Sequence, residues 1–188
     1  MPDLTSGSSE PEQVAPVLVW DTSPLLHSLR AGRLEILGDI ARHGWIGERR
    51  NVTTKAVVSE IVYYEPGFAG DEWLEVVHVD DLGELHALVT WMERVSGANS
   101  NHGEATVLAW AEVHGAKAVV DDADARRIGR LHGLDVCGSL RVVADAVRHG
   151  HTTAYAATAL VDAMLETGAR YPCARGDFTG WAKANGLL

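Results

Sequence analysis

At 188 residues, 46% hydrophobic and 22% charged, the chain has the length for one domain with its own core and the make-up of an ordinary globular protein. It has no apolar run of the ~18 residues that a membrane span needs and no basic-then-apolar start, so a cytoplasmic protein with no membrane partner is expected. The formal net charge of -10 excludes a protein that grips nucleic acid mainly through an overall positive field, although carboxylates gathered at a metal site would also count as negative.

Residues 1–16, with Asp3, Glu10 and Glu12, are polar and aperiodic and are expected to form a disordered tail. Val17 to Trp20 is a short continuous apolar run, the pattern of a strand buried on both faces, and it ends at Asp21. Ser23 as N-cap and Pro24 at the first helical position then predict a helix carrying Leu25, Leu26 and Leu29. A second strand is expected within Trp45 to Val52, with Thr53 capping a helix in which Glu60 lies among Val57, Val58, Ile61 and Val62.

Leu74 to Val79 reads as a third strand, and Asp81 to Val95 as a helix with Leu82, Leu85, Leu88, Val89 and Met92 on one face. A loop over Ser96 to Asn101 leads into a helix from His102 to His114, stopped by Gly115. Trp91 and Trp110 fall on apolar helical faces and are expected in the core. A fourth strand, Ala118 to Val120, runs into Asp121 and Asp122, followed by a helix from Ala123 to Leu131, a fifth strand from Leu134 to Cys137 and a helix from Ser139. Residues 151–188 read as a helical extension, with helices over Ala154–Glu166 and Phe178–Ala184. Cys137 and Cys173 lack the spacing of a ligand pair and read as small buried hydrophobes.

Strands alternating with helices at short spacing call for an α/β fold with a parallel sheet. Ligands bind such sheets at the carboxyl ends of the strands, where Asp21 and Asp121-Asp122 stand and where Glu104, in a first helical turn, and Glu60 can join them. Each acid has a plainer reading: a turn or cap for Asp21, a helix-dipole partner for Glu104, a capping run for Asp121 to Asp124. Together they form an all-oxygen cluster that a hard divalent cation would neutralise. Arg126, Arg127 and Arg130 on the next helix read as a solvated face or as guides for phosphate. Asn99, Asn101 and His102 read as a capped loop or as substrate contacts.

The run Val17 to Leu26, containing Asp21-Thr22-Ser23-Pro24-Leu25, resembles the opening of a PIN domain. His102-Gly103-Glu104-Ala105 resembles the Gly-Glu-Ala segment of a bacterial subgroup, and Val119 to Arg127 with Gly133 to Val136 and Gly138 to Leu140 resembles the family's last strand-helix-strand unit. The resemblance covers residues 17–150, which it makes a PIN-like nuclease domain. It implies a three-layer α/β/α sandwich with strand order 3-2-1-4-5 and extra C-terminal helices. It also implies a catalytic and metal-binding quartet of Asp21, Glu60, Glu104 and Asp122, with Asp121 as rival fourth member and Asp124 as auxiliary acid, holding Mg²⁺ or Mn²⁺. Thr22, Ser23, Asn101 and Arg126 would contact substrate. The activity implied is an endoribonuclease similar to the VapC-type toxins of type II toxin-antitoxin pairs, with RNA as substrate, a small antitoxin as partner and a homodimer as assembly. The sequence leaves open a DNA or structure-specific PIN nuclease and a catalytically silent RNA-binding module. A haloacid-dehalogenase-type phosphatase is disfavoured because Asp21-Thr22-Ser23 lacks that motif's second Asp.

Overall fold

The computed structural model describes residues 17–44, 47–95 and 102–188. The tail, Trp45 and the loop over 96–101, including Asn99 and Asn101, lie outside the described residues. The chain begins with β1 (Leu18–Trp20), α1 (Thr22–Arg30) and α2 (Leu34–Arg42), then the short hairpin strands β2 (His43–Gly44) and β3 (Gly47–Glu48). There follow β4 (Asn51–Thr54), α3 (Lys55–Tyr64), β5 (Glu75–Val77), α4 (Leu82–Arg94), α5 (His102–His114), β6 (Lys117–Val119), α6 (Ala123–Leu131), β7 (Val136–Cys137) and α7 (Ser139–Arg148). Helices α8 (Ala154–Glu166) and α9 (Phe178–Ala184) complete it.

The main sheet has the order β5-β4-β1-β6-β7, and every neighbouring pair is parallel. Counted among the strands of this sheet alone, that is third, second, first, fourth, fifth, the order implied by the resemblance; the antiparallel β2-β3 hairpin is an addition. β1 is fully buried at the centre because Leu18, Val19 and Trp20 have helices on both faces. Trp20 also ties the strands together: its indole Nε1 donates to Asn51 Oδ1 (2.9 Å), and its carbonyl accepts from Thr53 Oγ1 (2.8 Å). Those bonds supply partners for polar groups that would otherwise cost about 1–3 kcal/mol each to bury.

Local starts differ from the sequence reading by one or two residues. Asp21, not Ser23, is the N-cap of α1, which puts Pro24 in the third helical position, where its missing N–H is still one the helix does not use. The cap of α3 is Thr54, which accepts from Val57 N, because β4 runs one residue beyond Thr53. Helix α2 escaped the reading, although Leu34, Leu37, Ile40 and Ala41 recur at helical spacing and are buried.

The expected apolar face of α4 is corrected: Leu82, Leu85, Val89 and Met92 are exposed, and α4 instead buries Glu84, Ala87 and Trp91 against α5. Two specific bonds decide the rotation of the helix. Glu84 closes a capping box with Asp81 and receives His114 of α5 at 2.7 Å. Trp91 Nε1 donates to Glu112 of α5.

Trp91 and Trp110 are buried as expected, and Cys137 and Cys173 are buried and free. The C-terminal helices share the core of the sheet region: Leu160, Val161 and Met164 of α8 and Phe178 and Ala182 of α9 are buried in the same cluster, with α8 against α1 and α7. Among the described residues no helix is long and apolar enough to cross a membrane.

Candidate active site

The chain leaves β1 for β4 and β5 on one side and returns to β6 and β7 on the other, so a crevice opens beyond the carboxyl end of β1. Asp21 occupies that end, its backbone N–H bonded to the Val119 carbonyl of β6 (3.0 Å). Around it a cleft of about 450 Å³ is lined by Asp21, Glu60, Glu104, Asp121 and Asp122, together with Thr22, Ser23, His27 and Tyr171. The five acids therefore converge from β1, α3, α5 and the end of β6. Among the described residues, two cations, Arg30 and Arg170, join them on the walls.

Each acid is held differently. Asp21 and Glu104 are each 6% exposed. Burial pushes the Asp21 carboxyl up to about 7; the bond from the Thr22 backbone opposes this, and the charges of Glu60, Asp121 and Asp122 add to it. Glu60 is exposed at the rim, where its Oε2 accepts from Thr22 Oγ1 at 2.7 Å. Its apolar neighbours are not what holds it there, since only Val57 and Ile61 of α3 are buried and Val62 is exposed.

The adjacent aspartates have separate duties. Asp121 Oδ1 accepts from Ser139 N (2.7 Å), and its Oδ2 accepts from Ser139 Oγ (2.8 Å) and Tyr171 Oη (3.2 Å). Burial raises the Asp121 carboxyl, while these bonds and the Arg126 guanidinium pull it back. Asp122 is exposed and caps α6, its Oδ1 accepting from Ala125 N (2.8 Å). Asp124 lies outside the cleft: it stands on the solvent side of α6 and pairs with Arg127 at 3.4 Å. Arg126 turns away from the acids' cleft and gives its Nη1 to the Val120 carbonyl (2.9 Å), lining a neighbouring groove instead.

Glycine 103 explains how α5 can bring Glu104 in. A Cβ there would stand 2.7 Å from Glu60 Oε2 and 3.4 Å from Thr22 Oγ1, so a side chain at this position would push the Glu60 carboxylate off its place beside Thr22, and a bare Cα leaves it there. Thr106 holds that turn in place, donating to the Gly103 carbonyl (2.6 Å) and meeting Thr54 Oγ1 at 2.7 Å. The Gly-Glu order in the sequence is thus one small residue for approach and one acid for the cleft.

A family model described as a PIN domain matches residues 17–175, most of the chain and all of the acids above. The chain belongs to the PIN domain family. PIN domains are generally nucleases and typically use divalent metals. The match runs through α8 to residue 175, so this PIN domain includes Arg170 and Tyr171, two cleft residues that reading the sequence missed. Nothing near either residue marked them, because Tyr171 meets Asp121 across fifty positions of sequence. His27 was also missed; it bonds Thr167 Oγ1 through Nδ1 (2.8 Å), and burial and nearby Arg30 hold its pKa below the usual range. No curated protein matches the chain.

Among the described residues, no three acidic, histidine or cysteine side chains stand close enough to form a ready-made metal cage. The donor set nonetheless suits a hard divalent cation: it is all carboxylate oxygen, it is drawn from four elements, and its deepest member is strained toward protonation.

Proposed function

We propose that this PIN domain is a Mg²⁺- or Mn²⁺-dependent endoribonuclease. The observation that carries the reading is the convergence of Asp21, Glu60, Glu104 and the Asp121-Asp122 pair on one crevice with a buried carboxyl at its base. Asp21, Glu60, Glu104 and Asp122 would hold the cation; Asp122 Oδ2 has no protein partner among the described residues, whereas both oxygens of Asp121 are engaged. A divalent ion bound there supplies Lewis acidity to water and to the phosphodiester oxygens.

The chain's own groups do the positioning. Thr22 fixes the rotamer of Glu60, Gly103 sets the approach of Glu104, and Ser139 and Tyr171 hold Asp121 in place beside Asp21. Arg30 and Arg170 lie on the cleft wall, where a phosphate drawn to the acids' cation would meet them. The test is digestion of single-stranded RNA, single-stranded DNA and flap DNA side by side with Mn²⁺ or with chelator. RNA cleavage that needs the metal and is lost in Asp21→Asn is expected; preferential cutting of flap DNA would favour the structure-specific nuclease.

The net charge of -10 favours one second reading, a silent RNA-binding module. Calorimetric titration with Mn²⁺ separates the two, because a silent site would show no binding that depends on Glu60 and Asp122. The resemblance to VapC-type toxins supports a small antitoxin partner, a cytoplasmic site of action and a homodimer. Growth arrest on expression, relieved by co-expression of a small gene found beside this one, tests that role.

A further inference from the structure

A second groove, of about 520 Å³, adjoins the acidic cleft and shares Asp121, Arg170 and Tyr171 with it. Its character is opposite. Among the described residues, Lys117, Arg126, Arg130, Arg141 and Arg170 line it against two acids, Asp121 and Asp135, and Trp181 of α9 forms part of its wall. In a chain of net charge -10, five of the 16 Lys and Arg residues are gathered in this one place.

The acids cancel only part of that charge. Asp135 takes Lys117 at 3.3 Å, Asp145 takes Arg141 Nε at 3.0 Å, and Asp121 is shared with Ser139 and Tyr171. Arg130 and Arg170 have no ion-pair partner among the described residues, and both are exposed. Arginines bind phosphate in a fork, and unpaired ones have no partner to give up first. A half-buried indole among cations adds a stacking surface that accepts any base.

We infer that this groove, between α6, α7 and α9, carries the single-stranded extension of an RNA whose scissile phosphate lies at the acids. The inference rests on the ribonuclease reading and adds a second, metal-independent binding site to it. One strand would run from the cation-binding crevice past Tyr171 and Arg170 to Arg130, Arg141 and Trp181. The basic groove supplies the phosphate attraction that the chain's overall charge withholds, and it makes affinity depend on strand length.

The test compares the parent with the neutral double variant Arg130→Gln/Arg141→Gln and the reversed Arg130→Glu/Arg141→Glu. Both sites are surface positions, and thermal melts check that the variants fold. Fluorescence anisotropy in Ca²⁺ measures binding of single-stranded RNAs of about four and about twelve nucleotides, sizes that bracket one groove. The neutral variant is expected to bind the long RNA about tenfold more weakly, with a salt dependence shallower by about 1.4 in log–log slope. The reversed variant is expected to bind it more weakly still. Both variants should cleave the short RNA in Mn²⁺ at the parent rate. Unchanged affinity and slope in both variants overturns the groove, as does a parent that does not bind the long RNA. A parent that binds length-dependently through these arginines but cuts neither RNA with Mn²⁺ refutes the ribonuclease reading and leaves the groove standing.

Discussion

Replacing Asp21 with Asn should make the metal-free protein more stable while removing its activity. The carboxyl at this position rises from an ordinary value of 3.8 to about 7 in the fold, chiefly through burial. Between those two pH values the unfolded chain releases the proton and the folded chain keeps it. Stability therefore falls as pH rises through the window and stays low above it. At about 1.4 kcal/mol per pH unit, a window of roughly three units amounts to about 4 kcal/mol of destabilisation at pH 8. Asn keeps the shape and an acceptor for the Thr22 N–H but has no proton to lose. In chelator at pH 8, Asp21→Asn should melt about 10 °C above the parent, and the gap should close as pH falls toward 4. Saturating Mn²⁺ should raise the parent by about 3 kcal/mol at a hundredfold excess over its dissociation constant and the variant by much less. Differential scanning fluorimetry across pH reads both effects. A variant that melts at or below the parent in chelator at pH 8, or gains as much from Mn²⁺, refutes the view of Asp21 as a strained ligand.

Three other expectations rest on separate observations. Gly103→Ala should leave the melting temperature equal or slightly higher, since Ala favours a helix by up to ~1 kcal/mol over Gly, yet cut activity at least tenfold by displacing Glu60 from Thr22; an active variant with unchanged Mn²⁺ affinity argues against that role. Ser139→Ala removes one bond to the Asp121 carboxylate and one to Tyr171 Oη and should cost about 1.5–3 kcal/mol in chemical denaturation, with activity lowered because Asp121 keeps only the Ser139 N–H and Tyr171; a neutral result would mean that the hydroxyl does not hold the acid. Burial raises Glu84, but its bonds from His114 and the Asp80 and Asp81 N–H groups outweigh that and leave its pKa below the ordinary 4.5. A depressed carboxyl stabilises the fold above that value and loses the contribution as pH falls through its folded pKa. Acid denaturation curves of Glu84→Gln should accordingly be flatter below pH 4.5 than those of the parent, and curves of equal steepness would contradict it.

The parts of the site legible in sequence were those whose signal is local. Asp21 stands out because an unbroken apolar strand ends on it, and Glu104 because Gly103 precedes it where a helix starts. Glu60 was found for a weak reason, since its setting is a rim and not an apolar face. What the sequence hid depends on rotation and distance. The exposed side of α4 carries more leucine than the buried side, so periodicity alone points the helix the wrong way; the capping box and the Glu84–His114 bond turn it. Tyr171 and Arg170 lie in a stretch with no pattern and gain meaning only when α8 folds back over α1.

That last contact has a consequence for the order of events during synthesis. The chain emerges N-terminus first, and a domain folds as a unit once its parts are available. All five acids are made before Tyr171, so a nascent chain ending near residue 150 has the charges of the cleft but lacks the hydroxyl that steadies Asp121 and the arginine on the wall. The machinery that reads the message is itself made of RNA, and on the proposed ribonuclease reading a site completed only by this late-arriving segment would stay idle toward it until the segment has emerged. Stalled chains carrying a flexible spacer that brings residue 150 or residue 188 clear of the ribosome should therefore differ in RNA cleavage, the shorter being inactive; equal activity would remove the timing from the fold.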